Sequence, residues 1–461
     1  GPGSGTAAHG IHLLDSPGTT LTGLNVSGCD GDAIRLSGAS CVNNWLLSIR
    51  TGVSDFIEDT APAAAPNAGV GLRLTQGASG NVLASRVPVF IGTFGGGNLS
   101  YKHRNRIAND LLGGIVIEEG ASANQVLDLD IGGTEAADGE GATGGNGIAI
   151  LSGAADNRIG GTDYREPVII NACPEAAILV EGEMTTGNVL GGLRIGSIAH
   201  RGVDTTFADS RPNARGIEVR NGAGGTRVGV PGPLRNQPSD FFGFLSPYTV
   251  RVTGTSGAAV TLDGVDGTAA PAEVSHVTAT EVGTGLRVTG GTKGNRIHFN
   301  NLTASGTAGI HVDANVIDDP VNERNRFYRN AASSSAMPSD TDLFEADAGA
   351  AGLLVSNGSS GNVIGEGISL RNRLQGVIID GSSGNWIRGN QVNYYGPYNF
   401  GNPSSQVLAL LLRDSSENLI GGSGNGHGNQ FGDPFFVPGG TGGPDSAAVA
   451  IDGGMRNTVE G

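Results

Sequence analysis

Gly376-Val377-Ile378-Ile379-Asp380, followed by Gly384-Asn385-Trp386-Ile387, is the stretch that decides the fold. A glycine opens an apolar run, a small turn follows, and an asparagine opens a second apolar run. The phrase recurs. Gly147-Ile148-Ala149-Ile150-Leu151 leads to Asp156-Asn157-Arg158-Ile159, and Gly352-Leu353-Leu354-Val355 leads to Gly361-Asn362-Val363-Ile364. Leu408-Ala409-Leu410-Leu411-Leu412 leads to Glu417-Asn418-Leu419-Ile420, and Ala448-Val449-Ala450-Ile451 to Arg456-Asn457-Thr458-Val459. The phrase asparagines are Asn81, Asn124, Asn157, Asn188, Asn295, Asn325, Asn362, Asn385, Asn418 and Asn457, with Thr226 in the same place. A repeat of this kind sets the architecture before any single residue is read.

The shortest interval, Asn362 to Asn385, is 23 residues. Three strands of about five residues and three turns need roughly that many. One unit is therefore one triangular coil, with Ile368-Ser369-Leu370 expected as its first strand, Val377-Ile378-Ile379 as its second and Trp386-Ile387-Arg388 as its third. Stacked coils set like strands in parallel register about 4.8 Å apart, with aliphatic residues inward and polar residues outward. The asparagine between the second and third strands can bond backbone groups and tolerate a left-handed conformation. Stacked coil on coil, Asn124, Asn157, Asn188, Asn295, Asn362, Asn385, Asn418 and Asn457 would form an amide ladder.

Composition narrows the class. The chain has 461 residues with 80 Gly, so glycine is roughly two to three times its usual share. The apolar runs are too regular and too β-branched for disorder, and solenoids grow without splitting into domains. The formal net charge of −16 argues against nucleic acid and against an anionic membrane surface. No run is long enough to span a bilayer. The cysteines Cys29, Cys41 and Cys173 are too few for a disulfide scaffold. Cys29 and Cys41 could pair across adjacent strands or remain buried thiols. Gly1-Pro2-Gly3-Ser4 reads as an expression scar, and residues 5–461 as a single β-helix domain. Neither end shows a capping helix, so a segment of a longer protein is expected.

With these repeats the chain resembles right-handed parallel β-helix proteins of the pectate-lyase-like superfamily. The resemblance implies an all-β solenoid of about eleven to thirteen three-strand coils. It does not fix an activity, because this fold carries lyases, hydrolases, epimerases, tailspikes and adhesins. Residues beyond one coil's length fall mostly between the asparagine strand and the next Gly-apolar strand, at 91–110, 134–146, 196–214, 330–350, 394–406 and 423–446. They would wall a groove beside the first strand of each coil, where the resemblance implies that a sugar chain lies. Polygalacturonase-type signatures are incomplete: Asp318-Asp319 and Gly426-His427-Gly428 stand far apart without their partners.

Several residues could carry chemistry in such a groove. Tyr394, Tyr395, Tyr398 and Phe400, with Phe435 and Phe436 in the equivalent loop of the next coil, offer flat rings for pyranose faces. Phe241, Phe242, Phe244 and Tyr248 form a third aromatic cluster. Lys102 and His103 could serve a β-eliminating lyase as base and as cation against a uronate. Asp204 and Asp209, followed by Arg211, could form the carboxylate pair of a glycosidase. Asp340, Asp342, Glu345 and Asp347 suit a hard cation, making calcium the one cofactor to consider. Asp128 and Asp130 belong to a further acidic run, and His311 and Asp313 share an outer strand face.

The sequence thus predicts a secreted or cell-surface β-helix segment with a structural or adhesive role, touching a polysaccharide or surface glycan. The alternative is a polysaccharide lyase or glycoside hydrolase in the loop-walled groove.

Overall fold

The structure, a computed structural model, describes residues 8–53, 64–84, 105–132, 143–161, 167–196, 212–229, 250–334, 351–365, 373–393, 408–422, 428–431 and 447–460. The chain divides into two compact units. The first comprises residues 1–218 and 229–254, the second residues 219–228 and 255–461. Within each, short strands pair in parallel with the strand one coil on, which makes the fold an all-β parallel β-helix.

In the first unit the second-strand ladder runs through Ile34–Ser37, Val70–Thr75, Gly113–Ile117, Ile148–Ile150 and Ala176–Glu181. Leu36, Leu74, Ile117, Ile150 and Val180 lie in register and are buried, as one inward row. Leu46, Leu83, Val126, Ile159 and Leu190 form a second row on the third strands. Ile107, Ile131, Ile170, Ile195 and Val252 form a third on the first strands. Each such side chain contributes roughly 1.5–3 kcal/mol by leaving water, so three rows hold a coil closed with little help from helix or disulfide.

The second unit repeats the plan, through strands such as Ala351–Ser356, Val377–Asp380 and Leu408–Arg413. One row departs from the expected polar exterior. Leu354, Ile378 and Leu411 alternate with inward neighbours and so point outward, yet they are in register and buried. That face is removed from solvent, and its apolar composition follows from the burial.

Among the described residues the third-strand ladders count six strands in the first unit and eight in the second, fourteen together, against the eleven to thirteen coils expected. The extra coils carry Thr19, Asn44 and Ala272 at the asparagine position. Two of these three lack the asparagine, so the phrase is not legible there. The first strand expected at 368–370 lies outside the described residues; the described strand ahead of Val377 is Arg373–Gln375.

The asparagine corner is an amide ladder in separate runs, broken where Thr226 and Ala272 take the position. Asn44 Nδ2 donates to Asn81 Oδ1 at 2.8 Å, Asn81 to Asn124 at 3.0 Å, Asn124 to Asn157 at 3.0 Å and Asn157 to Asn188 at 3.1 Å. Asn295 donates to Asn325 at 3.2 Å, and Asn362, Asn385, Asn418 and Asn457 form a third run. Each of these oxygens also accepts the backbone N–H of the preceding asparagine. The left-handed residue of the turn is the one before the asparagine, such as Ala123, Asp156, Gly384 or Glu417. That frees the asparagine backbone to join the ladder and explains the glycine of the Gly-Asn phrase.

The cysteines are free thiols. Cys29 lies in a first-to-second-strand turn, and Cys41 is buried at the asparagine corner, where it accepts from Asn44 Nδ2.

Candidate functional site

Lys102, His103, Asp204, Asp209, Arg211, Asp340, Asp342, Glu345 and Asp347 lie outside the described residues. So do Tyr394, Tyr395, Tyr398, Phe400, Phe435, Phe436, the 241–248 cluster and His427. Among the described residues no group of three or more His, Cys, Asp or Glu side chains could hold a metal ion. Asp319 accepts from Asn322 and from the backbone of Val321 and Asn322, which makes the Asp318-Asp319 pair part of a tight turn.

The His311–Asp313 pair is in the second unit. His311 Nε2 is 2.8 Å from Ser356 Oγ and 3.9 Å from Asp313 Oδ1. Both contacts fall on one ring nitrogen, so the three side chains do not form a relay through the imidazole. Asp313 is instead held by Arg287, at 3.0 Å from Nε, and by Asn357 at 2.6 Å. Burial would raise its pKa, but these bonds and the nearby His311 and Arg287 outweigh it and the carboxyl lies below its ordinary range. In the first unit Asp32 gathers His9, Arg35 and Arg73, while Arg73 also pairs with Glu118. Both clusters lock adjacent coils together through satisfied charges.

A different arrangement occupies the corner where a third strand turns into the first strand of the next coil. In the first unit this corner holds Gly23, Ser48, Asp128 and Gly192, all left-handed, and in the second unit Gly389 holds it too. A small or turn-forming residue is what a positive φ calls for. Three successive coils of the second unit break that rule with His276 (φ 52), Phe299 (φ 55) and Arg329 (φ 54). Each costs roughly 1–2 kcal/mol relative to an unstrained residue. Such strain persists where surrounding structure imposes it, and it gathers at functional positions.

The three side chains stack as a row. The His276 and Phe299 rings are 5.6 Å apart at an interplanar angle of 23°. The Arg329 guanidinium carbon sits 5.2 Å from the centre of the Phe299 ring. Phe299 is 43% exposed, so its ring is available to a partner. One residue back along each coil, His298 and Tyr328 stack with centroids 4.7 Å apart and planes within 3°. The coil spacing of about 4.8 Å dictates this: residues in register on neighbouring strands bring planar rings to stacking distance.

Beside the rings runs a charged row. Arg227, Glu273, Arg296 and Arg326 are in register on consecutive third strands. Glu273 Oε1 is 2.9 Å from His298 Nε2, and Glu273 Oε2 is 3.5 Å from Arg227 Nε. The hydrogen bond from His298, ahead of the opposing effect of burial, holds the Glu273 carboxyl below its ordinary range. Burial, then the charge of His298, lowers the pKa of His276. The Nδ1 atoms of His276 and His298 are buried and have no hydrogen-bond partner. The corner thus joins flat apolar rings, two unpartnered ring nitrogens and a row of guanidinium groups. The sequence signal is the triplets Ser275-His276-Val277, His298-Phe299-Asn300 and Tyr328-Arg329-Asn330, where the repeat's own small corner residue is missing.

No protein-family profile matches the chain, and no curated protein matches it. Among solved structures it is similar to DFA-IIIase from Arthrobacter chlorophenolicus A6 in complex with GF2. The identity is 12%, over 92% of this chain and 82% of that one, with a TM-score of 0.30. The same enzyme in complex with DFA-III gives 12% identity over 92% and 83% of the two chains, with a TM-score of 0.30. The A-module of an Azotobacter vinelandii mannuronan C-5 epimerase gives 11% identity over 99% and 91%, with a TM-score of 0.21. Likeness at this level concerns the fold and assigns no activity to this chain.

Proposed function

We propose that this chain is a secreted or cell-surface β-helix segment with a structural or adhesive role, and that it contacts glycans through the corner row of its second unit. The observation that carries the reading is the succession His276, Phe299, Arg329 at left-handed corners that other coils give to glycine, serine or aspartate. An exposed ring flanked by polar side chains is the surface that a pyranose face covers, burying apolar area while its hydroxyl groups find partners. The exposed Arg329 guanidinium beside the ring supplies donors for such hydroxyls.

Binding fits this row better than glycosidic cleavage. Hydrolysis needs two carboxylates across the scissile bond, and among the described residues of the row only Glu273 supplies one. The enzyme reading rests on Lys102, His103, Asp204, Asp209 and Arg211.

The test is affinity electrophoresis and calorimetry of the chain against a panel of polysaccharides, with Phe299→Ala beside the parent, and assay of each mixture for unsaturated products and reducing ends. The reading expects binding without cleavage, weakened about tenfold by the alanine. Binding that Phe299→Ala leaves unchanged would remove the corner row from the account. Product release would favour the lyase or hydrolase residues.

A further inference from the structure

We infer that the corner row takes an anionic sugar chain, laid along the stack of coils with its acidic groups against the arginines. The inference rests on the glycan reading above and narrows it to a ligand class.

Charge is placed against the trend of the whole molecule. The chain carries a formal −16, yet Arg227, Arg296 and Arg326 stand on consecutive third strands, interrupted only by Glu273. Arg296 and Arg326 are exposed, as is Arg329 at the corner. Among the described residues of the row and its corner, four guanidinium groups stand against one carboxylate, a formal +3, and that carboxylate is already engaged by His298 and Arg227. The equivalent positions of the later coils are Val363, Trp386, Leu419 and Thr458, none of them charged. Two of the three coils with a strained corner, those of Phe299 and Arg329, therefore also carry an exposed arginine of the row, Arg296 and Arg326. Coincidence of two independent departures from the repeat marks one surface.

The patch is also bounded. At the asparagine end of the same strands Lys293 is paired with Glu323 at 2.9 Å and lies 3.8 Å from Asp266, so cationic character is neutralised there. An anion is directed to the corner end, beside Phe299.

Geometry favours a charged sugar over nucleic acid. Arg296 and Arg326 stand on neighbouring coils, about 4.8 Å apart, a spacing close to one pyranose unit. A polymer with one acidic group per ring can set a charge against each coil. Duplex DNA carries one charge per about 1.7 Å, which a +3 patch on a strongly acidic protein does not balance. Guanidinium forks suit carboxylate and sulfate alike, so the shared chemistry is an anionic oxygen group on a sugar.

The experiment titrates the full chain with polygalacturonate, a sulfated galactan, a neutral glucan and single-stranded DNA, at low and high salt. Arg296→Gln, Arg296→Lys and Phe299→Ala are compared with the parent, each checked for an unchanged melting curve. The inference expects an acidic glycan to bind with salt-sensitive affinity. Arg296→Gln should weaken it about tenfold, and Arg296→Lys less. The carboxylated and sulfated arms decide which acidic group is meant. Equal binding of the neutral glucan, insensitive to salt and to Arg296→Gln, would overturn the anionic inference and leave the glycan reading standing. Failure to bind any glycan would overturn the glycan reading itself. Preferential binding of the DNA would overturn both.

Discussion

Each coil of the second unit turns two unlike corners at the ends of its third strand. At one end Asn362, Asn385, Asn418 and Asn457 repeat the same amide, buried or half-buried, each bonded to its neighbour along the stack. At the other end the residue changes from His276 to Phe299 to Arg329, faces solvent in part and holds a strained backbone. Where the repeat is kept, every polar atom has a place in the stack and the residue serves stability. Where it is broken in three coils running, the side chain is spent outward. Uniformity marks packing, and departure from it marks the surface that does something.

The largest expected effect comes from a coil of the first unit that puts a carboxylate where its neighbours use neutral groups. Asp110 is buried in the first-to-second-strand turn, accepting from Asn67 Nδ2 and Thr51 Oγ1 at 2.7 Å each. Asn67 and Thr143 occupy the same position one coil away on either side. Burial outweighs the hydrogen bonds, and the carboxyl is pushed up from 3.8 to about 7. The folded protein then keeps a proton that the unfolded chain gives up, so this contribution is full below about pH 4 and is lost as pH rises to about 7. The gap corresponds to an effect on the order of 4 kcal/mol. Denaturant midpoints between pH 4 and 8 should fall across that window, and Asp110→Asn, which mimics the protonated acid, should flatten the slope.

Asn385→Ala should be next, costing about 3 kcal/mol. It removes a donor to Asn418 Oδ1 and to the Ser359 carbonyl, and takes from Asn362 the acceptor of its backbone N–H and one acceptor of its Nδ2. Urea unfolding measures this, and a loss below about 1 kcal/mol would mean that the ladder does not stabilise the stack.

Phe299→Gly sharpens the contrast. It relieves a strained corner by about 1 kcal/mol but loses ring contacts worth a similar amount, so the melting curve should barely move. Glycan affinity should fall about tenfold.

Ser48→Gly is the smallest. Ser48 sits at the corresponding first-unit corner with φ 55 and a buried, unpartnered hydroxyl. Glycine should raise stability by about 1 kcal/mol without touching glycan binding.

The coil was legible because Gly376 to Ile387 contains two strands and the turn between them, and the 23-residue interval to the previous asparagine leaves room for only one strand more. Coils at Thr19 and Ala272 were not, because the amide is replaced there and only inward aliphatics remain to define the strand. The left-handed residue of the asparagine turn lies one position before the asparagine that the sequence suggests: the ladder needs the asparagine's own N–H, so the residue before it takes the strain. The corner row escaped for another reason. The phase after the asparagine strand reads as the place of long insertions, where aromatic loops such as Tyr394 to Phe400 are the conspicuous feature of the sequence. His276, Phe299 and Arg329 lie in coils where the chain passes directly from third to first strand. They become conspicuous only when aligned with Gly23, Gly192 and Gly389.

Hydrogen–deuterium exchange of the full chain, with and without the tightest-binding polysaccharide, tests the central claim most directly. The account predicts that protection gathers in the segments around 273–276, 296–300 and 326–330. Protection confined to other segments, such as 394–400 or 85–104, with these three unchanged, would contradict it.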